Sequence, residues 1–200
     1  MFPLESVLFP SAVLPLHVFE PRYRELTRRA LDGDREFGVT LIERGSEVGG
    51  GDARFAIGTR ARIVESAELP DGRWVLVAVG LRRISVARWL PDAPFPQADV
   101  DDLPEPEPGP DAAALLGTAE RLLRRTLALR AELGDPAAPA TVELADDVTT
   151  AAFQIAALAP IGPADAQGVL EVGSTDGRLH LLARLLEEEA EVLEARVAGG

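Results

Sequence analysis

The sequence predicts an α+β chain: a small β-barrel with one packed helix over residues 1–104, a Pro/Glu linker at 105–110, and a four-helix subdomain over 111–198. Three observations predict it. Up to residue 104 the apolar residues come in short runs separated by turn signals, with a single helical interruption. Between Pro91 and Pro110, seven prolines and six acids crowd 20 residues. Beyond that stretch the apolar period becomes helical.

In chain order, Leu4 to Phe9 reads as a first strand ended by Pro10, and Leu14 to Phe19 as a second. Glu20-Pro21 then opens a helix to Leu31, because proline's preset φ suits the first helical position, where an N–H has no partner to lose. Tyr23, Leu26, Ala30 and Leu31 fall on one face of that helix, and Arg22, Arg24, Glu25, Arg28 and Arg29 take the other. Asp32-Gly33-Asp34 ends it. Phe37 to Glu43 is a buried strand, and Gly45 to Asp52, with Gly49-Gly50-Gly51, is a hairpin tip; no Gly-Lys-Ser/Thr follows, so it is not a phosphate loop. Ala53 to Glu68 and Arg73 to Val79 flank Pro70-Asp71-Gly72 as a hairpin. Leu81 to Leu90 is a further strand and Asp99 to Leu103 an edge strand. About six strands with short spacings and one helix suggest a curled or closed barrel. Pro104 to Pro110 is read as a stiff tether. Helices are expected over Asp111 to Leu133, Thr141 to Ala159, Ala164 to Val172 and Thr175 to Val197.

Composition bounds the function. A chain of 200 residues, 46% hydrophobic, buries roughly 70% of its unfolded surface, enough for one domain or two small ones. There is no cysteine, which removes disulfides and thiolate metal sites and fits a reducing cytoplasm. Met1-Phe2-Pro3-Leu4-Glu5 lacks a basic leader region, and no run reaches the about 20 apolar residues of a membrane span. A soluble, cytoplasmic protein is therefore expected. The net charge is −13, and all 20 basic residues are arginine. Such an acidic chain repels phosphate backbones unless a local basic patch dominates.

Several pieces together carry a resemblance. Leu8-Phe9-Pro10, Leu14-Pro15-Leu16, Phe19-Glu20-Pro21-Arg22-Tyr23 and Phe37-Gly38-Val39 are similar to the opening of the substrate-binding amino-terminal domain of Lon proteases. Ile57 to Ile63, Asp71-Gly72-Arg73 and Gly80-Leu81-Arg82-Arg83 follow in that family's order, as do Asp147 to Leu158, Asp165 to Glu171 and Arg178-Leu179. The resemblance implies a PUA-like barrel followed by helices, and a platform that selects exposed apolar segments of damaged or tagged proteins. It also implies the recognition part alone, since the chain stops where a full-length Lon would continue into its ATPase. A distant Lon-like eukaryotic ligase subunit suggests, by resemblance, a barrel that takes a small molecule.

Enzymatic readings fare poorly. Lon proteases cleave with a Ser-Lys dyad and unfold with a phosphate-loop lysine, and this sequence contains no lysine. His17 sits in an apolar strand and His180 in an amphipathic helix, with no Gly-x-Ser-x-Gly, so a hydrolytic triad is not expected. Asp101-Asp102, Asp146-Asp147 and Glu187-Glu188-Glu189 are adjacent acids whose side chains diverge, so no metal or other cofactor is expected; Asp146 or Asp147 is better placed near a helix start or on a polar face.

Binding remains. Arg82, Arg83, Arg88 and Trp89 would make a basic and aromatic strip for RNA, since PUA-like barrels also bind it. Against that, residues 1–90 hold 13 arginines for 12 acids, which balance internally, and nucleic acid is not the favoured partner. The favoured partner is an unfolded or tagged polypeptide, presented to a protease or chaperone. An extended segment would add to an unpaired barrel edge or enter an apolar groove. Leu16, Phe19 and Tyr23, at the strand-to-helix junction, are the candidate contacts, and each is equally a core residue; Glu20 and Arg22 look structural. A second copy of the chain is a further candidate partner, through the leucine stripe of 175–198.

Overall fold

The computed structural model describes residues 1–45, 47 and 53–199, so the expected Gly49-Gly50-Gly51 hairpin tip lies outside the described residues. The chain divides into two compact units, Met1–Pro104 and Glu105–Gly200.

In the first unit the strands are β1 (Phe2–Leu4), β2 (Val13–Val18), β3 (Glu36–Arg44), β4 (Ala53–Glu68), β5 (Trp74–Leu90) and β6 (Gln97–Asp102), with helix α1 (Pro21–Asp32) between β2 and β3. They form a six-stranded sheet of order β1-β3-β4-β5-β2, with β6 also on β5. β1 runs parallel to β3, and the other pairs are antiparallel. Register shifts interrupt β3–β4, β4–β5 and β5–β6, and such bulges bend strands and tighten their twist. The sheet consequently curls: Phe2 and Leu4 of β1 and Val18 of β2, from opposite ends of the path, share one core with Tyr23, Leu26, Phe37, Ile63 and Leu76. Yet β1 pairs only with β3, and β2 only with β5, among the described residues. The hydrogen-bonded path is open between β1 and β2 among the described residues.

Two strands depart from the sequence reading. The run Val7-Leu8-Phe9 supplies core side chains without extending β1, because Thr59 Oγ1 donates to the Leu8 carbonyl at 2.5 Å and Ser11 turns at φ 65°. β5 is one continuous strand where two were expected. The strand runs through Gly80, although its register against β4 shifts beside it; the glycine lets the Phe9 backbone pass so closely that a Cβ at this position would overlap the Phe9 carbonyl oxygen. The Asp71-Gly72 turn is as expected, with Gly72 at φ 78° and its N–H on Leu69 O at 2.8 Å.

The second unit holds α2 (Ala112–Glu132), α3 (Val148–Leu158), α4 (Pro163–Glu171) and α5 (Thr175–Gly199). Leu122, Leu123 and Leu127 of α2 and Leu179, Leu182, Leu186 and Leu193 of α5 are buried, and Thr126 Oγ1 bridges the two helices to Leu186 O at 3.4 Å. The α5 leucines offered as a face for a second copy are therefore buried within their own unit, while Val192 remains exposed. Residues 105–110 are fastened to their own unit: Arg178 pairs with Glu105 at 3.1 Å, and Gly109 N–H donates to Asp176 at 2.9 Å.

Helix α3 starts at Val148 instead of Thr141. Arg124 takes the carbonyls of Ala140 and Val142, and Gln154 Oε1 accepts the Ala145 N–H at 2.7 Å, so the segment before it is satisfied without helical bonds. Asp147 caps the helix by accepting the Thr150 N–H at 2.8 Å. Thr150, through its side chain and its N–H, holds the Asp147 carboxyl below the ordinary carboxylate range. Asp147→Ala is expected to cost about 1 kcal/mol in urea denaturation followed by helical ellipticity. A carboxyl with a lowered native pKa stabilises above its unfolded pKa and loses that contribution as pH falls through the native value, so the difference between wild type and variant should vanish in acid.

Candidate functional site

The open seam is built from the two strands that end the sheet path. Gly80 N–H donates to Ala12 O at 3.0 Å. Antiparallel bonding alternates along a strand, so with Val13 opposite Val79 and Pro15 opposite Val77, residues Leu14, Leu16 and Val18 bond inward to β5. Val13, Pro15 and His17 then direct their main-chain groups to the outer edge, where Pro15 offers a carbonyl and no N–H. Side chains alternate as well: Val13, Pro15 and His17 are exposed, whereas Leu14 and Leu16 are half-buried and Val18 is buried.

Beside this edge lies a cleft of about 160 Å³, lined by Phe2 and Leu4 of β1, Pro15 to Val18 of β2, and Phe19, Glu20, Tyr23 and Glu47. All three candidate contacts line it, Leu16 half-buried and Phe19 53% exposed. Tyr23 is not a free contact surface. It is 3% exposed and stacks on Phe2 with centroids 4.2 Å apart and planes 11° apart, so it forms the floor. Arg22 lies 4.4 Å over the Tyr23 ring, pairs with Glu20 at 3.0 Å and donates to Glu47 O at 3.0 Å, which ties the helix start to the cleft wall. The Glu47 carboxylate accepts the Glu5 N–H at 2.6 Å. Phe2, Leu4, Pro15 and Glu47 escape the sequence reading because the sheet order that makes β1 and β2 neighbours is set by non-local pairing. The single local signal is a proline inside an apolar strand, which belongs at an edge.

The arginine strip does not assemble. Arg83 is 3% exposed. Arg82 pairs with Asp102 at 2.6 Å and approaches Glu36 at 4.0 Å, while Arg88 pairs with Asp99 at 2.6 Å. The register shift between Val86 and Arg88 puts Arg88 out of phase with Arg82. Trp89 is half-buried beneath the Arg54 guanidinium, 4.9 Å from its ring centre, and Arg54 pairs with Asp92 at 3.2 Å.

A second hollow, of about 260 Å³, is lined by Met1, Glu36, Phe37, Arg60, Ile84 and Val100 among others. Its charges are spent on each other, with Arg60 on Asp102 at 2.9 Å and on Glu36 at 3.5 Å. Among the described residues no group of three His, Cys, Asp or Glu is arranged to hold a metal ion, and no helix is long and apolar enough to cross a membrane.

Residues 1–188 match the sequence model of the ATP-dependent protease La (LON) substrate-binding domain. Among curated proteins the chain is similar to Lon protease 2 of Myxococcus xanthus, 32% identical over 195 residues, covering 94% of this chain and 23% of that one. It is also 30% identical over 198 residues to the Lon protease of Desulfovibrio desulfuricans, covering 96% and 22%. The chain thus spans under a quarter of the length of these relatives. Among solved structures, a Lon N-terminal domain protein from Xanthomonas campestris superposes with TM-score 0.63 at 29% identity, over 90% of this chain and 94% of that one. The N-terminal domain of a Mycobacterium avium complex Lon protease shares the fold, with TM-score 0.64 at 19% identity over 92% and 94%.

Proposed function

The chain belongs to the ATP-dependent protease La (LON) substrate-binding domain family, and from that premise we propose that it binds extended polypeptide segments, without catalysis, at the seam between β1 and β2. The observation that carries this reading is an apolar cleft bounded by two sheet edges, neither of which pairs across it among the described residues. An incoming strand would satisfy the outward groups of Val13, Pro15 and His17 and pack side chains on Leu16 and Phe19. Main-chain bonds are indifferent to sequence, and the apolar walls select segments that a folded client would hide. A module of this kind handles damaged or tagged chains and passes them to a protease. The Ser-Lys and phosphate-loop chemistry of such a machine requires lysine, which these 200 residues do not contain.

The test uses a permanently unfolded, fluorescently labelled reporter protein. The wild-type chain is expected to bind it, and Phe19→Ala to weaken binding about tenfold, the scale of an interfacial aromatic anchor. Because Phe19 is 53% exposed, the variant's melting temperature should be unchanged. Absence of binding by the wild-type chain, or full binding by Phe19→Ala, refutes the assignment.

A further inference from the structure

The chemistry of the seam's walls specifies its occupant further, on the premise that the reading above holds. The apolar side is Leu16 and Phe19; the charged side is anionic. Glu20 and Glu47 both line the cleft, and Glu5 is tied to Glu47 through its N–H. The cation in this group, Arg22, is engaged by Glu20 at 3.0 Å and by the Glu47 main-chain carbonyl. Among the described residues no arginine pairs with the Glu47 carboxylate, which uses one oxygen for a single N–H and retains acceptor capacity. The charge of the whole sequence, −13, has the same sign, so an acidic segment meets repulsion on approach as well as at the wall.

We propose that the seam takes a cationic apolar strand, an extended segment that pairs with the β2 edge and sets a Lys or Arg against Glu47 beside an apolar side chain on Leu16 and Phe19. The neutral part of the recognition is shared by any unfolded segment. The charge divides such segments, accepting those flanked by Lys or Arg and turning away those flanked by Asp or Glu. Glu47 is a specificity-determining residue in this arrangement, and Glu20, already bound to Arg22, contributes less.

Three capped peptides of one apolar sequence, flanked by Lys, Gln or Glu, separate this inference from the reading beneath it. Their affinities for the full chain are measured by fluorescence anisotropy in 50 mM and 500 mM salt. Binding is expected in the order Lys, Gln, Glu, with Lys and Glu about tenfold apart at low salt and nearly equal at high salt. Glu47→Gln, which keeps an acceptor for the Glu5 N–H, should reduce that ratio to about threefold. Equal affinities for all three peptides would overturn the charge selection and leave the binding site standing. Binding of none would overturn both. A Lys preference undiminished in Glu47→Gln and in Glu20→Gln would place its origin elsewhere and overturn the assignment to the seam.

Discussion

Gly58→Val is expected to destabilise the first unit by about 3 kcal/mol or more, lowering its melting temperature by roughly 15 °C. Propensity alone points the other way, since valine favours strands and glycine weakens them. Geometry decides. Gly58 faces Thr40 across the β3–β4 pair, and a Cβ at this position would overlap the Val39 carbonyl oxygen and come within 2.7 Å of Thr40 Cγ2. The first of these is backbone, which cannot rotate away. Because the collision is with the Cβ itself, Gly58→Ala should share most of the loss. Gly117→Ala is the control: it is exposed on α2, its Cβ meets nothing within 4 Å, and helix propensity predicts a gain of up to about 1 kcal/mol. Thermal denaturation of the three variants checks the set, and a Gly58→Val melting curve matching wild type would contradict the strand crossing.

Arg178→Ala should be comparably severe in the second unit, costing about 3–5 kcal/mol, as a large buried side chain cut back to alanine does. The Arg178 side chain is fully buried in α5. Its guanidinium lies 3.9 Å from the Phe153 ring centre, and one nitrogen reaches Glu105 at 3.1 Å and the Val172 carbonyl at 2.9 Å. Truncation leaves a void beside Phe153 and removes the bonds that Arg178 makes to the Val172 carbonyl and to Glu105. Arg178→Met separates these contributions. It refills the space against Phe153, and Glu105, at 23% exposure, can turn to water. A loss of about 1–2 kcal/mol is expected for Met, set by the hydrogen bonds it gives up. Urea titration followed by helical ellipticity measures both, and equal losses for Ala and Met would assign the stability to the charge and not to packing.

Where the signal is local, the sequence and the fold agree closely. The alternation from Ala53 to Glu68, stopped by Pro70-Asp71-Gly72, marks β4 to the residue, and Glu20-Pro21 marks the start of α1. Asp147 carries a local signal for a helix start, but the apolar period running back to Thr141 outweighs it in the sequence reading, and the cap at Asp147 is seen only in the fold. Non-local partners govern the departures. Nothing near Gly80 in the chain says that the Phe9 backbone crosses it, and nothing near Leu8 says that Thr59 will take its carbonyl. The same limit applies to the cleft. The strand-to-helix junction draws attention to Leu16, Phe19 and Tyr23, but the wall formed by Phe2 and Leu4 depends on β1 and β2 ending the sheet path. Arg82, Arg83, Arg88 and Trp89 likewise stand as an alternative strip in the sequence until the register shift and the acids of β6 are known.

Both strands that bound the seam carry a proline at an interior position, Pro3 in β1 and Pro15 in β2. Each therefore has a gap in its row of amide protons. Two copies of β2 meeting head to tail about Pro15 would set one proline against the other and forfeit both bonds of the central pair, where a foreign strand forfeits one. Pairing of the β2 edge with its own copy is thereby penalised more than pairing with a strand that lacks proline at that point.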